Sequence, residues 1–319
     1  MKNIIFGILL ILSAASFCLA QNQAVDPKDI IKIEANASKG FAYPYYLYVP
    51  PELRDAKLQK ETQTILVIPN NTGKGNDDLG VHEADVKKRM AQNGAIGKLI
   101  KTAILMPVFP RPATDWRIYT HALDRDALLT GKKEFARFDV QLVAMIDDAR
   151  EQLKKDKLKF DKRVLLTGFS ASGMFANRFA FLHPDRVKAA AIGSPGGWAI
   201  APVANYQEKT LRYPIGVNDF KTVTGKKFDL KKVQKVPMFI FLGDKDDNDS
   251  VVFGDSYEDE DKILVFELFG KTPVERWETS KTLYRQSSMN AEFKLYPNVK
   301  HTVSAEMRDD IKDFLLKNK

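Results

Sequence analysis

From residue 64 onward the sequence repeats one order of events: an apolar run of strand length, then a segment with helical spacing. TILVIP at 64–69 and TAILMPVF at 102–109 are near-continuously apolar, as strands buried on both faces of a sheet must be. Between them, residues 82–100 have helical spacing. Residues 134–156 read as a long amphipathic helix, followed by KRVLLTGF, a helix from about Gly173 to Leu182, and VKAAAIGSPGG. VPMFIFLG at 236–243, a helix near 273–287, the strand AEFKLYP and the closing helix EMRDDIKDFLLK complete the series. Ahead of it, IIKIEA and FAYPYYLYVP read as an antiparallel pair. Strands that precede helices this regularly predict an α/β fold: a mostly parallel central sheet flanked by helices, with right-handed crossovers. Ligands of such sheets bind at the carboxyl ends of the strands.

Two segments break the rhythm. Residues 198–235 are rich in aromatics, Pro and Gly without a clean period, and are expected to form a small lid insertion. Residues 110–131, with Trp116, Tyr119 and His121, are a second irregular insertion. Both are expected above the carboxyl edge of the sheet, within one domain spanning 21–319. The acidic run SYEDEDK at 256–262 reads as a solvated loop.

The first twenty residues, MKNIIFGILLILSAASFCLA, place Lys2 before an apolar run and end on a small residue, the pattern of a secretory signal peptide cleaved before Gln21. A secreted or periplasmic protein is therefore expected, with no membrane span after cleavage. Cys18 is the sole cysteine, so the mature chain would have neither disulfides nor a cysteine-ligated metal. A net charge of +8 reads as solubility with mild attraction to anionic surfaces, the lysines being taken as scattered among acids. No cluster of basic and aromatic residues calls for a nucleic-acid partner.

The stretch VLLTGFSASGM at 164–174 carries the chemistry. A buried strand, a Gly-x-Ser-x-small turn and a helix, in that order, hold Ser170 in a strained turn at the sheet edge. The residues two before and two after it, Gly168 and Ser172, must be small for strand and helix to approach. A serine hydroxyl needs a base to take its proton and an acid to orient that base. DKDDND, directly after the strand VPMFIFLG, supplies Asp246 as the acid, with Asp249 as its rival and Asp244 behind both. His301, after the strand AEFKLYP, is the base. The backbone N–H of Ala171, at a helix N-terminus, is placed to receive a developing oxyanion. His82 reads as a helix start, His183 as a capping or packing residue, and His121 as packing beside the cleft. DKDDND also has the alternate-ligand spacing of a calcium loop, but Asp249 stands where that loop needs Gly, so no metal is assigned.

With GFSAS, LGDKD and NVKH in this order, the chain resembles the α/β-hydrolase superfamily from about residue 40 to its end. More narrowly, it is similar to secreted esterases related to polyhydroxybutyrate depolymerases and feruloyl esterases. The resemblance implies an α/β-hydrolase fold and a Ser170–His301–Asp246 triad working through an acyl-enzyme without a cofactor. It also implies a second oxyanion donor in the loop after TILVIP, at Asn71 or Thr72; the His-Gly motif common there is missing. A small-molecule or polymeric ester is the implied substrate, with Trp198, Tyr206 and Tyr213 available either to line an acyl pocket or to pack in the core. A peptidase of the prolyl-oligopeptidase type would use the same triad but usually adds a propeller domain, for which 319 residues leave no room. A binding protein that keeps the fold without its chemistry is the third reading.

Overall fold

The computed structural model describes residues 25–71 and 73–319; the expected signal peptide, Cys18 and the candidate Thr72 lie outside the described residues. Eight strands form the central sheet: β1 (Ile30–Ile33), β2 (Tyr45–Tyr48), β3 (Ile65–Val67), β4 (Ala103–Pro107), β5 (Val164–Phe169), β6 (Val187–Gly193), β7 (Met238–Gly243) and β8 (Ala291–Tyr296). Their spatial order is β1-β2-β4-β3-β5-β6-β7-β8. β2 runs antiparallel to both its neighbours, and every pairing from β4 to β8 is parallel.

The longer helices are α1 (Leu79–Leu99), α2 (Phe138–Lys154), α3 (Ala171–Leu182), α4 (Asp259–Leu268), α5 (Pro273–Gln286) and α6 (Ala305–Lys317). Successive side chains of a strand point to opposite faces, and the central strands sort accordingly. Val164 and Leu166 of β5, with Ile240 and Leu242 of β7, join Phe138 and Met145 of α2 and Phe175 and Phe179 of α3. Leu165, Phe239 and Phe241 point the other way, to Val86 and Met90 of α1 and Met307 and Ile311 of α6. Burial on both faces explains why these strands carry continuous apolar runs rather than alternation.

α4 corrects the reading of 256–262 as a solvated loop, because the acidic run starts this helix. Asp261 is buried, and Arg212 grips its two carboxylate oxygens at 2.7 and 3.1 Å. A partner 49 residues away in sequence pulls that acid inward. No helix among the described residues is long and apolar enough to cross a membrane.

Residues 198–235 form a short hairpin, pairing Asn205–Tyr206 with Lys209–Thr210, and two short helices, Phe220–Thr224 and Leu230–Val233. Trp198, Leu211 and Ile215 from this insertion pack on Ala171 and Met174 at the start of α3. Trp198 and Tyr213 take the core-packing alternative. Trp198 is buried, stacks on Phe269 at 4.0 Å and donates its indole N–H to the Ile215 carbonyl. Tyr213 is fully buried with its hydroxyl on the Leu123 carbonyl, so both rings serve the core.

Candidate active site

The turn between β5 and α3 holds Ser170 at φ 62° and ψ −128°, a left-handed conformation that strains a residue with a side chain. The small neighbours make this turn possible. A Cβ on Gly168 would lie 2.2 Å from the Ser172 carbonyl oxygen, and one on Gly173 would lie 2.2 Å from that of Gly193. Ser172, where glycine is usual, closes the turn with its side chain: its hydroxyl donates to the Phe169 carbonyl at 2.8 Å and accepts from the Phe169 N–H at 3.0 Å. The Ser170 N–H donates to the Gly193 carbonyl at 3.0 Å, tying the turn to β6. Ser170 is half-buried. The helix begins at Ala171, two residues earlier than the sequence suggested.

Asp246 and His301 come together from separate loops. The loop after β7 is pinned to the loop after β8 by the Lys245 N–H on the Val299 carbonyl, at 3.0 Å. His301 Nδ1 then lies 3.0 Å from each carboxylate oxygen of Asp246. Its ring packs on Phe169, the residue that precedes Ser170, with centroids 4.8 Å apart. Burial alone would raise the Asp246 pKa, but hydrogen bonds from His301 and Ser194 hold it below the usual carboxylate value. The carboxylate therefore stays charged at neutral pH.

The rival acids are placed elsewhere. Asp249 meets Arg276 through two 2.8 Å contacts, both residues being buried, and it accepts the Val251 N–H. Asp244 keeps one buried carboxylate oxygen without a partner. Asn71, from the loop after β3, reaches the turn by donating its side-chain amide to the Phe169 carbonyl at 3.4 Å. The first-turn N–H groups of α3, Ala171 among them, have no partner within the helix and so can receive negative charge.

The other histidines are structural. His121 is fully buried with Nε2 2.7 Å from the Phe109 carbonyl oxygen, and burial pushes its pKa down to about 3. His183 ends α3 and pairs with the buried Asp139 at 2.8 Å, as a packing residue would. His82 lies inside α1, which starts at Leu79, rather than at its start.

Ser194 is the residue sequence reasoning missed. It follows β6, is buried, and donates its hydroxyl to Asp246 Oδ2 at 2.6 Å. The available signal was its position: a hydroxyl residue at the carboxyl end of the strand beside the one that leads to the acid.

No protein-family model matches the sequence, and no curated protein matches it. Among solved structures, the chain is similar to poly(aspartic acid) hydrolase-1 from Sphingomonas sp. KT-1, with a TM-score of 0.57 and 16% identity over 90% of this chain and 97% of that one. It is similar also to a poly(3-hydroxybutyrate) depolymerase from Bordetella parapertussis, with a TM-score of 0.54 and 15% identity over 91% and 89% of the two chains. At such identities the likeness is one of architecture. The chain has the α/β-hydrolase fold.

Proposed function

We propose that the protein is a serine hydrolase of carboxylic esters, with Ser170 as nucleophile, His301 as base and Asp246 as the acid that orients it. The observation that carries this reading is the His301–Asp246 pair packed against Phe169, beside a serine held in a strained strand-to-helix turn. Ser170 Oγ attacks the ester carbonyl carbon while His301 Nε2 takes its proton, and the Asp246 carboxylate stabilises the imidazolium. The carbonyl oxygen becomes an oxyanion facing the Ala171 N–H and a second donor from the Asn71 loop. Collapse expels the alcohol, protonated by His301, and leaves an acyl-enzyme. Water, deprotonated by His301, then attacks the acyl carbon, releasing the carboxylic acid and restoring Ser170.

The poly(3-hydroxybutyrate) depolymerase of the same architecture is named for a polyester and the poly(aspartic acid) hydrolase for a polyamide, so the ester reading rests on the sequence resemblance to esterases, with amide hydrolysis as its direct competitor. Export from the cytoplasm rests on the sequence of residues 1–20 and is part of the same proposal. Short-chain nitrophenyl esters assayed beside a dipeptide amide test the reaction class. Turnover of the esters by wild type, absent in Ser170→Ala, is expected. Faster turnover of the amide would favour the peptidase.

A further inference from the structure

We propose that Ser194 is a positioning residue for the acid of this site, an inference that rests on the reading of Ser170, His301 and Asp246 given above. The end of β6 joins both halves of the site. The Gly193 carbonyl takes the Ser170 N–H at 3.0 Å, and the next residue sends its hydroxyl to Asp246 Oδ2 at 2.6 Å. Ser194 is itself anchored by its N–H on the Phe241 carbonyl at 2.8 Å. Asp246 receives three donors: His301 Nδ1, the Ser194 hydroxyl and the Asn248 N–H at 3.0 Å. Without Ser194 the buried Oδ2 would keep His301 alone, and the carboxylate could swing about its bond to Cβ.

The backbone argues that the hydroxyl has a purpose. Ser194 has φ 42°, where glycine is favoured and any side chain adds strain. Glycine would suit the turn; serine suits the carboxylate. Ser194→Gly therefore separates the two roles, because it relieves the backbone while removing the hydroxyl. Its melting temperature is expected to equal or exceed wild type. Its kcat for a short nitrophenyl ester is expected to fall about tenfold, with KM within about twofold. The acidic limb of the kcat/KM profile is expected to move to higher pH, since a less stabilised carboxylate holds the imidazolium more tightly. Unchanged kcat and pH profile in Ser194→Gly, with Ser170→Ala inactive, would overturn this inference and leave the proposed function standing. Full activity in Ser170→Ala would overturn both.

A different observation carries a second inference, independent of the site. Residues 221–235 hold Lys221, Lys226, Lys227, Lys231, Lys232 and Lys235 against one acid, Asp229, so fifteen residues carry a net +5 of the chain's +8. This corrects the reading of the lysines as scattered. All six are exposed, and only Lys232 has an ion-pair partner among the described residues, Asp229 at 3.5 Å. The same segment packs Val223 and Val233 into the protein core and holds Phe228 and Leu230 half-buried against it. We infer that this face docks on an anionic bilayer surface through long-range attraction alone. Lysines are point charges without the arginine fork, and no exposed ring in the segment offers a base a stacking partner.

Sedimentation with phosphatidylglycerol-containing vesicles tests it. Binding is expected at 0.05 M salt, lost at 0.5 M and absent with phosphatidylcholine alone. Each Lys→Gln change at 226, 227 or 231 is expected to weaken binding about fivefold while sparing ester turnover. Equal binding to neutral vesicles, unchanged binding of the triple variant, or retention on heparin without vesicle binding would each overturn it.

Discussion

His301 Nδ1 stands 3.0 Å from both carboxylate oxygens of Asp246, while Asp249, three residues further along the same loop, faces Arg276. Two acids within one short loop thus have separate partners. Asp246→Asn is expected to lower kcat about 10⁴-fold with little change in melting temperature, because the imidazole loses its orienting charge. Asp249→Asn is expected to leave Arg276 buried and uncompensated and to destabilise the fold by about 3 kcal/mol or more. Esterase kinetics and thermal melts of the two variants check this; the reverse ranking would exchange their roles.

The turn at Ser170 makes a steric prediction. Gly168→Ala would place a methyl 2.2 Å from a backbone oxygen that cannot yield without moving the start of α3. A loss of at least about 3 kcal/mol is expected by denaturant titration. Ser172→Ala only removes the bridge between the Phe169 N–H and C=O, and a loss of about 1 kcal/mol is expected.

Asn71 joins its loop to the same turn through the Phe169 carbonyl. Asn71→Ala is expected to lower kcat about 10²-fold with KM nearly unchanged, the effect of misplacing one oxyanion donor. Steady-state kinetics on a single ester decide it; a change in KM alone would remove Asn71 from this role.

Acid should unfold the protein through two buried groups. His121 titrates near 6.5 when unfolded but is pushed down to about 3 by burial, so the folded state resists protonation. Its contribution is complete above pH 6.5 and is lost as pH falls towards 3. For Asp139, burial alone would raise the pKa, but hydrogen bonds from Arg137 and His183 bring it down to about 2. Its contribution, about 2 kcal/mol, is present above pH 4 and fades as pH falls towards 2. Denaturant titrations from pH 8 to pH 3 are expected to show stability falling below about pH 6.5 in wild type. In His121→Gln that first decline is expected to be absent.

Much of this architecture was legible because local pattern and tertiary demand agree. TILVIP, KRVLLTGF and VPMFIFLG read as buried strands since both their faces are covered, and the GFSAS turn reads as strained since only small residues admit it. Non-local pairing hid the rest. Asp261 resembled a solvated acid until Arg212 was brought beside it. Position after the strand favoured Asp246 over its rival Asp249, but only the packing of α5, which carries Arg276, gives Asp249 a partner of its own. Ser194 showed only its place at the end of a strand, because its partner lies 52 residues on, past the whole 198–235 insertion.

The most direct measurement is labelling with a fluorophosphonate, followed by mass-spectrometric mapping of the modified peptide. The residue 170 hydroxyl should carry a single phosphonyl group, acquired far more slowly when His301 is replaced by Ala. A folded protein that stays unlabelled, or takes the label on another side chain, would contradict a catalytic role for this serine.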